Sequence, residues 1–253
     1  MRLDVVVLAG GKNDTAMAEA TGVENRALTP IGTRAMLDYI VSALNAAPSV
    51  GQIYVVGDVP ESDQYSKVPV QETLLENLMA GLRAAGSQER VLISTSDIPF
   101  VTPLAVEDFV QRAAATGADL CCSYVPLAAC LQKYPEMKRT AITLAEGRFT
   151  LGNIMLVNPR FLEDRQTAIA EAYAARKSPV KMARLLGPGL LARLLGAQLL
   201  SPRLLTVKAL EDAVSRVLGG ARTAGICSAY AEIGTDIDKP EDVIIARRIL
   251  ANS

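Results

Sequence analysis

Apolar and polar positions alternate in blocks through the first half of the chain. Leu3–Leu8 is an apolar run broken only by Asp4, and it reads as a buried strand. Met36–Ala46 places Met36, Leu37, Ile40, Val41 and Leu44 on one helical face. Gln52–Val56 is strand-like and stops at Gly57-Asp58. Leu74–Ala85 is helical, with Leu74, Leu75, Leu78 and Leu82 on one side. Val91–Ser94 is a short strand running into Ser96-Asp97-Ile98-Pro99, Pro103–Thr116 is a helix, and Asp119–Tyr124 is a further strand. This β-α-β-α-β order predicts a parallel sheet with right-handed crossovers.

The pattern changes after residue 148. Arg148–Val157 reads as one or two strands around Gly152-Asn153. Pro159 to Gly219 is almost all helix-like, with breaks at Gly187-Pro188-Gly189 and Ser201-Pro202. Ala224–Ala229 is weakly strand-like, and a last helix runs from Pro240 to Leu250. Pro240 suits the first turn of that helix, and Glu241 and Asp242 suit its positive end. The expected architecture is one α/β domain over 1–253, a mostly parallel sheet flanked by helices, with a helical insertion near 159–220.

Composition narrows the function classes. Half of the 253 residues are hydrophobic but only 4% are aromatic, so the core must be aliphatic. A formal charge of −1 gives no reason to expect a nucleic-acid partner. The four cysteines have no C-x-x-C spacing and histidine is absent, which argues against a Cys/His zinc site. Cys121 and Cys122 read as small buried thiols, consistent with a reducing cytoplasm. The first residues lack the long apolar core and cleavage flank of a secretory signal, and no uncharged apolar stretch reaches membrane-spanning length. A cytoplasmic protein is expected, with homo-oligomerisation left open.

Three places gather chemistry at strand ends, where open α/β sheets bind ligands. The first is Ala9-Gly10-Gly11-Lys12, with Arg26 later; backbone N–H groups freed at paired glycines can approach a phosphate closely. It is not a P-loop, because no G-K-[ST] follows at the required spacing. The second is Asp97, just past a strand. The third is the pair Asp236 and Asp238 before the last helix. Backbone donors plus cations suit a triphosphate, and carboxylates converging from different strands suit Mg²⁺, a hard ion. Taken singly, each also reads as ordinary structure: a plain Gly-Gly turn, an Asp at a turn or cap, an Asp capping the helix that Pro240 opens. Their order along the chain carries the functional reading.

The segments LAGGK, NRALTPIGTRAMLDYIVSAL, STSDIPFVTP, GNIMLVN and GTDIDKPEDVIIARRIL together resemble the nucleotidyltransferases related to molybdenum cofactor guanylyltransferase, sugar-1-phosphate nucleotidyltransferases and methylerythritol phosphate cytidylyltransferase. The resemblance covers nearly all of the chain outside 160–220. It implies a Rossmann-like (glycosyltransferase-A-like) sheet. It also implies transfer of an NMP from an NTP to a phosphorylated acceptor: a sugar phosphate, a polyol phosphate or a molybdopterin-like compound. Carried over residue by residue, it places Leu8, Ala9, Gly10 and Gly11 around the base and phosphates. It puts a phosphate cation at Arg26, Mg²⁺ ligands at Asp97 and Asp236 with Asp238 as understudy, and an acceptor contact at Asn153. Gln71 falls loosely on a base-reading position. The chain departs from the usual L-A-G-G-x-x-x-R loop: Lys12-Asn13-Asp14-Thr15 stands there, so Lys12 is the candidate replacement cation. Glu72 stands where many members have a small residue against the nucleotide.

Two segments fall outside that pattern. Lys138 and Arg139, ahead of the Asn153 strand, read either as a solvated basic loop or as a clamp for the acceptor phosphate. Residues 180–205 alternate leucines with basic residues. They read as helices packed on each other or on the sheet, with a peripheral membrane surface as the alternative. Two other function classes stay open: a catalytically weak nucleotide-binding or regulatory homologue, and a nucleotide-sugar-dependent glycosyltransferase of the same topology.

Overall fold

A computed structural model describes residues 2–86, 88–175 and 204–251, with isolated positions 187, 189, 192, 193, 196 and 201. The Leu/Arg-rich stretch 180–205, and with it the membrane-surface alternative, lies mostly outside the described residues.

The strands are β1 (Leu3–Leu8), β2 (Pro30–Ile31), β3 (Arg34–Ala35), β4 (Val50–Val56), β5 (Ser66–Val68), β6 (Val91–Thr95), β7 (Leu120–Pro126), β8 (Ile142–Leu144), β9 (Gly147–Val157) and β10 (Thr223–Cys227). The α-helices are α1 (Thr15–Thr21), α2 (Met36–Asn45), α3 (Leu74–Ala85), α4 (Pro103–Thr116), α5 (Leu127–Lys133), α6 (Pro159–Glu163), α7 (Gln166–Ala175), α8 (Val207–Val217) and α9 (Pro240–Leu250). An eight-stranded sheet runs in the order β10-β7-β9-β6-β1-β4-β5, with β8 pairing to β9. The pairs β1/β4, β1/β6, β4/β5 and β10/β7 are parallel, whereas β9 is antiparallel to β6, β7 and β8. The expected mostly parallel sheet is present, and β9 is the strand that runs against it.

Hydrophobic burial explains the layers. Val5, Val6 and Val7 of β1 are fully buried, because helices cover both faces of a central parallel strand. On α2, Met36, Leu37, Ile40, Val41 and Leu44 face the core, as their spacing predicts. Thr73 and Glu76 form a capping box that starts α3, while Thr102 caps α4 ahead of Pro103. All four cysteines are free, with Cys121 and Cys130 buried. Among the described residues no helix is long and apolar enough to cross a membrane.

The direction of β9 matters for the site. Because Ser94 pairs with Ile154, the start of β9 lies beside the carboxyl end of β6. The ladder with β7 shifts register between Cys122 and Tyr124. There Ser123 Oγ donates to the Ile154 carbonyl at 2.7 Å and accepts from its N–H at 3.3 Å. A Cβ on Gly152 would stand 2.1 Å from Ser123 Oγ and 2.8 Å from Ile233 Cγ2, so only glycine fits this irregularity. Gly152→Ala is expected to destabilise the fold by roughly 1–3 kcal/mol, the usual cost of overpacking a core. A urea titration would read it as a lower midpoint at unchanged slope.

Candidate active site

The parallel register brings two of the three sequence features together. Leu8 of β1 pairs with Val56 on one side and Thr95 on the other. Gly10-Gly11 and Ser96-Asp97 therefore leave the same sheet edge from neighbouring strands. Ala9 is anchored by its N–H to the Val56 carbonyl at 2.8 Å. A Cβ on Gly10 would meet Val70 at 3.0 Å and Asn77 at 3.2 Å, whereas one on Gly11 would meet nothing within 4 Å. Gly11 therefore leaves open space at the end of the strand.

The loop that lacks the usual arginine is pinned by short pairing instead. Lys12 and Asn25 form an antiparallel bridge, Asn13 N–H donates to the Glu24 carbonyl at 2.7 Å, and Arg26 N–H donates to the Gly11 carbonyl at 2.9 Å. Asn13 Nδ2 donates to the Val23 carbonyl and to Thr29 Oγ1. Asp14 caps α1. Lys12 itself is exposed at the mouth of the loop. Asn25 caps the turn that carries Arg26.

Arg26 joins two carboxylates that are distant in sequence. Its Nη1 lies 2.6 Å from Asp238 Oδ1 and 3.5 Å from Asp97 Oδ2. The other oxygen of Asp97 accepts from Thr95 Oγ1 at 2.6 Å. The 235–239 segment is held against Asp97 by the Ile237 N–H, which donates to the Asp97 carbonyl at 2.8 Å. Asp236 Oδ1 is 3.0 Å from Arg139 Nη1, and the same nitrogen donates to the Asp236 carbonyl at 2.7 Å. The Arg139 side chain is only 4% exposed, so this is a built contact rather than a solvated loop.

The structure also decides the capping alternatives. The last helix is closed by Asp242, whose Oδ2 accepts from the N–H groups of Asp238 and Lys239, both at 3.2 Å. Asp236 and Asp238 therefore do not cap it. Asp97 caps no helix either, since α4 starts on Thr102.

Burial pushes the Asp97 carboxyl above its ordinary range, and Asp238 adds to this against the Thr95 hydroxyl and Arg26. Asp236 is raised for the same first reason, reinforced by Asp238 and Asp97 and opposed by Arg139. Carboxylates that raise one another in this way form a site short of positive charge. Among the described residues, no three His, Cys, Asp or Glu side chains are arranged to hold one ion by themselves. A hard cation here would take one or two carboxylates and draw its remaining ligands from phosphate and water, the habit of Mg²⁺.

Next to this cluster lies a cavity of about 930 Å³. Lys138, Arg139, Asn153, Asp236 and Asp238 all line it, so the predicted acceptor residues and the acidic pair share one space. Asn153 Nδ2 donates to the Ile233 carbonyl at 3.2 Å, tying β9 to the turn ahead of Asp236. Gln71 stands apart, at the glycine loop. Its N–H donates to Asn77 Oδ1 at 2.7 Å, and its side chain turns back to the Pro69 carbonyl. Sequence reasoning missed Thr95 and Lys239. Thr95 lies two residues before Asp97, a spacing at which a strand-end hydroxyl can reach the carboxylate. Lys239 lines the cavity beside Asp238. It also missed Glu232, buried at 1% beneath the turn, which accepts from Thr102 Oγ1 and pairs with Lys133 at 2.8 Å.

A glycine loop, a cation and converging acids at one sheet edge define a nucleotidyl-transfer fold class, and the comparisons agree. The model of the MobA-like NTP transferase domain matches residues 5–198, and the chain belongs to this family. It is a nucleotidyltransferase. Asp236 and Asp238 lie beyond the matched segment. A hypothetical transferase from Thermus thermophilus is similar at 33% identity, with a TM-score of 0.84 over 96% of this chain and 100% of that one. The CTP complex of CMP:2-keto-3-deoxy-manno-octonic acid synthetase shares the fold at 13% identity and a TM-score of 0.59, covering 100% and 99% of the two chains. The 2-C-methyl-D-erythritol 4-phosphate cytidylyltransferase of Thermus thermophilus does so at 18% identity and 0.55, covering 99% and 100%. No curated protein sequence matches the chain.

Proposed function

We propose that this enzyme moves an NMP from an NTP to a small phosphorylated acceptor, with Mg²⁺ as cofactor, in the cytoplasm. The observation that carries the reading is Arg26, fixed to the glycine loop through Gly11 and facing Asp97 and Asp238 at once. It joins a phosphate-binding loop to a cluster of acids next to a cavity with its own cations.

In this reading Leu8, Ala9, Gly10 and Gly11 receive the nucleotide, and Gln71 lies at its base end. Asp97 and Asp236 would hold Mg²⁺, with Asp238 beside them. When bound, that ion would supply charge neutralisation at the α-phosphate and the leaving group. Lys138, Arg139 and Asn153 orient the acceptor so that a phosphate oxygen faces the α-phosphorus. The new bond forms from that oxygen. The bond from the α-phosphorus to the bridging oxygen breaks, and pyrophosphate leaves with the electron pair. Lys12 and Arg26 neutralise charge on the leaving pyrophosphate. The nucleophile is already anionic, so no histidine or other general base is required. Positioning and electrostatics supply the rate. Residues 159–220 belong, in this reading, to the same domain as a helical insertion.

The test is pyrophosphate release with each of the four NTPs and Mg²⁺, against sugar phosphates, polyol phosphates and molybdopterin. Turnover with one NTP and one acceptor class supports the reading. An NTP that binds but is never turned over would favour the regulatory alternative instead. Within the cavity, Lys138→Ala is expected to raise the acceptor KM about tenfold, with the NTP KM unchanged. Equal KM values for variant and wild type would remove Lys138 from the acceptor site.

A further inference from the structure

The cavity beside Asp236 has a chemically mixed lining. Three cations, Lys138, Arg139 and Lys239, stand among five carboxylates that include Asp236 and Asp238. β9 contributes Asn153, Leu151 and Phe149 to it, and Ile142 of β8 pairs directly with Phe149, so the lining also holds an apolar row. Phe149 is 8% exposed and held edge-on against Tyr124, with ring centroids 5.1 Å apart, so this wall is preformed. Leu151 is 72% exposed, the most exposed large hydrophobic residue among those described.

An isolated exposed leucine would be unremarkable. Leu151 instead extends a row that Ile142 and Phe149 begin, inside a concave site of the size that binds small molecules. A sugar or polyol phosphate would meet Lys138 and leave the row in contact with hydroxyl groups.

Resting on the nucleotidyl-transfer reading above, we infer that the acceptor is an amphiphile: a phosphate monoester whose organic part is an apolar chain or ring. Its phosphate lies at Lys138 and Arg139, and its apolar part lies along Leu151, Phe149 and Ile142. The register sets the reach. Leu151 is two residues from Asn153 along β9 and Phe149 two further. Phe149, Thr150 and Leu151 pair regularly with β7, so at about 3.3 Å per strand residue the apolar contacts of β9 extend over roughly 7 Å. The acceptor needs a chain of several carbons, or one ring, to use them. The chemistry of transfer is unchanged: a phosphate oxygen of the amphiphile takes the nucleotidyl group and pyrophosphate leaves.

The experiment compares n-butyl, n-hexyl and n-octyl phosphate and phenyl phosphate with glycerol 3-phosphate and glucose 1-phosphate. Binding is measured by calorimetry on the full chain, and turnover by pyrophosphate release with NTP and Mg²⁺. Affinity is expected to rise with chain length by up to about fourfold per methylene buried. Leu151→Asp should flatten that dependence while the unfolding midpoint stays near that of the parent, because Leu151 is exposed. A Leu151→Met variant should keep the dependence. Sugar or polyol phosphates turning over with no gain for the alkyl phosphates would overturn the amphiphile and leave nucleotidyl transfer standing. No turnover of any phosphate ester, with no chain-length dependence of binding, would sink both.

Discussion

Asp97→Asn is expected to lower kcat by at least on the order of a hundredfold, the size of loss seen when one group stabilising transition-state charge is removed. The substitution keeps the shape of the side chain, and the amide oxygen can still accept from the Thr95 hydroxyl, which now lies 2.6 Å from Oδ1. What it removes is the negative charge. Arg26 keeps its shorter partner, Asp238, at 2.6 Å, so the loop that carries it should stay in place. The same change is not expected to weaken the fold. Burial holds the Asp97 carboxyl above its ordinary range, so the folded state gains nothing from keeping it charged. The two readouts should therefore separate: pyrophosphate release collapses, while the thermal midpoint stays level or rises. Added Mg²⁺ should not restore activity. A variant that turns over at the parental rate would remove Asp97 from the metal site altogether.

The sequence made the long elements and the local order of the site legible, but not its pairings. The strand at Leu3–Leu8 stands where its apolar run puts it, and the helices at Met36–Asn45, Leu74–Ala85 and Pro103–Thr116 stand where periodicity puts them, because each helix is long enough to show a period. Short elements such as Ser66–Val68, Ile142–Leu144 and Leu127–Lys133 carry too few residues to show one. The direction of Gly147–Val157 was not legible either. An alternating strand has the same pattern read either way, and its antiparallel course is set by packing between β6 and β7. That course nonetheless decides the site, since it brings Asn153 beside the end of β6. The glycine loop, Asp97 and Asp236/Asp238 could be singled out from their positions after strands. That Arg26 would bridge Asp97 and Asp238, and Arg139 hold Asp236, could not, because these partners are 71, 212 and 97 residues apart. The capping question had a local answer in the sequence. Asp242 sits three residues after Lys239, within reach of its N–H, and closing the helix start in this way frees the two earlier aspartates for chemistry.

Arg26→Ala is expected to reduce kcat/KM for the NTP by on the order of 10³, the lower end of what an arginine contributes at transferring phosphates. The loss should fall on both kcat and the NTP KM, because in the proposed reaction the guanidinium meets phosphate charge before and during bond breaking. Arg26→Lys should recover only part of it: a point charge preserves the attraction but not the fork that spans two oxygens. A second measurement distinguishes this role from simple damage. Arg26 shares its Nη1 between Asp97 and Asp238 and so competes with any cation for those carboxylates. Deleting it leaves the acids with less positive charge around them. Mg²⁺ affinity in the absence of nucleotide should then rise, while nucleotide turnover falls. A misfolded site would lose both. If Mg²⁺ binding and turnover fall together in a variant that melts like the parent, Arg26 organises the carboxylates rather than competing for them. If neither changes, the phosphate cation is Lys12 alone.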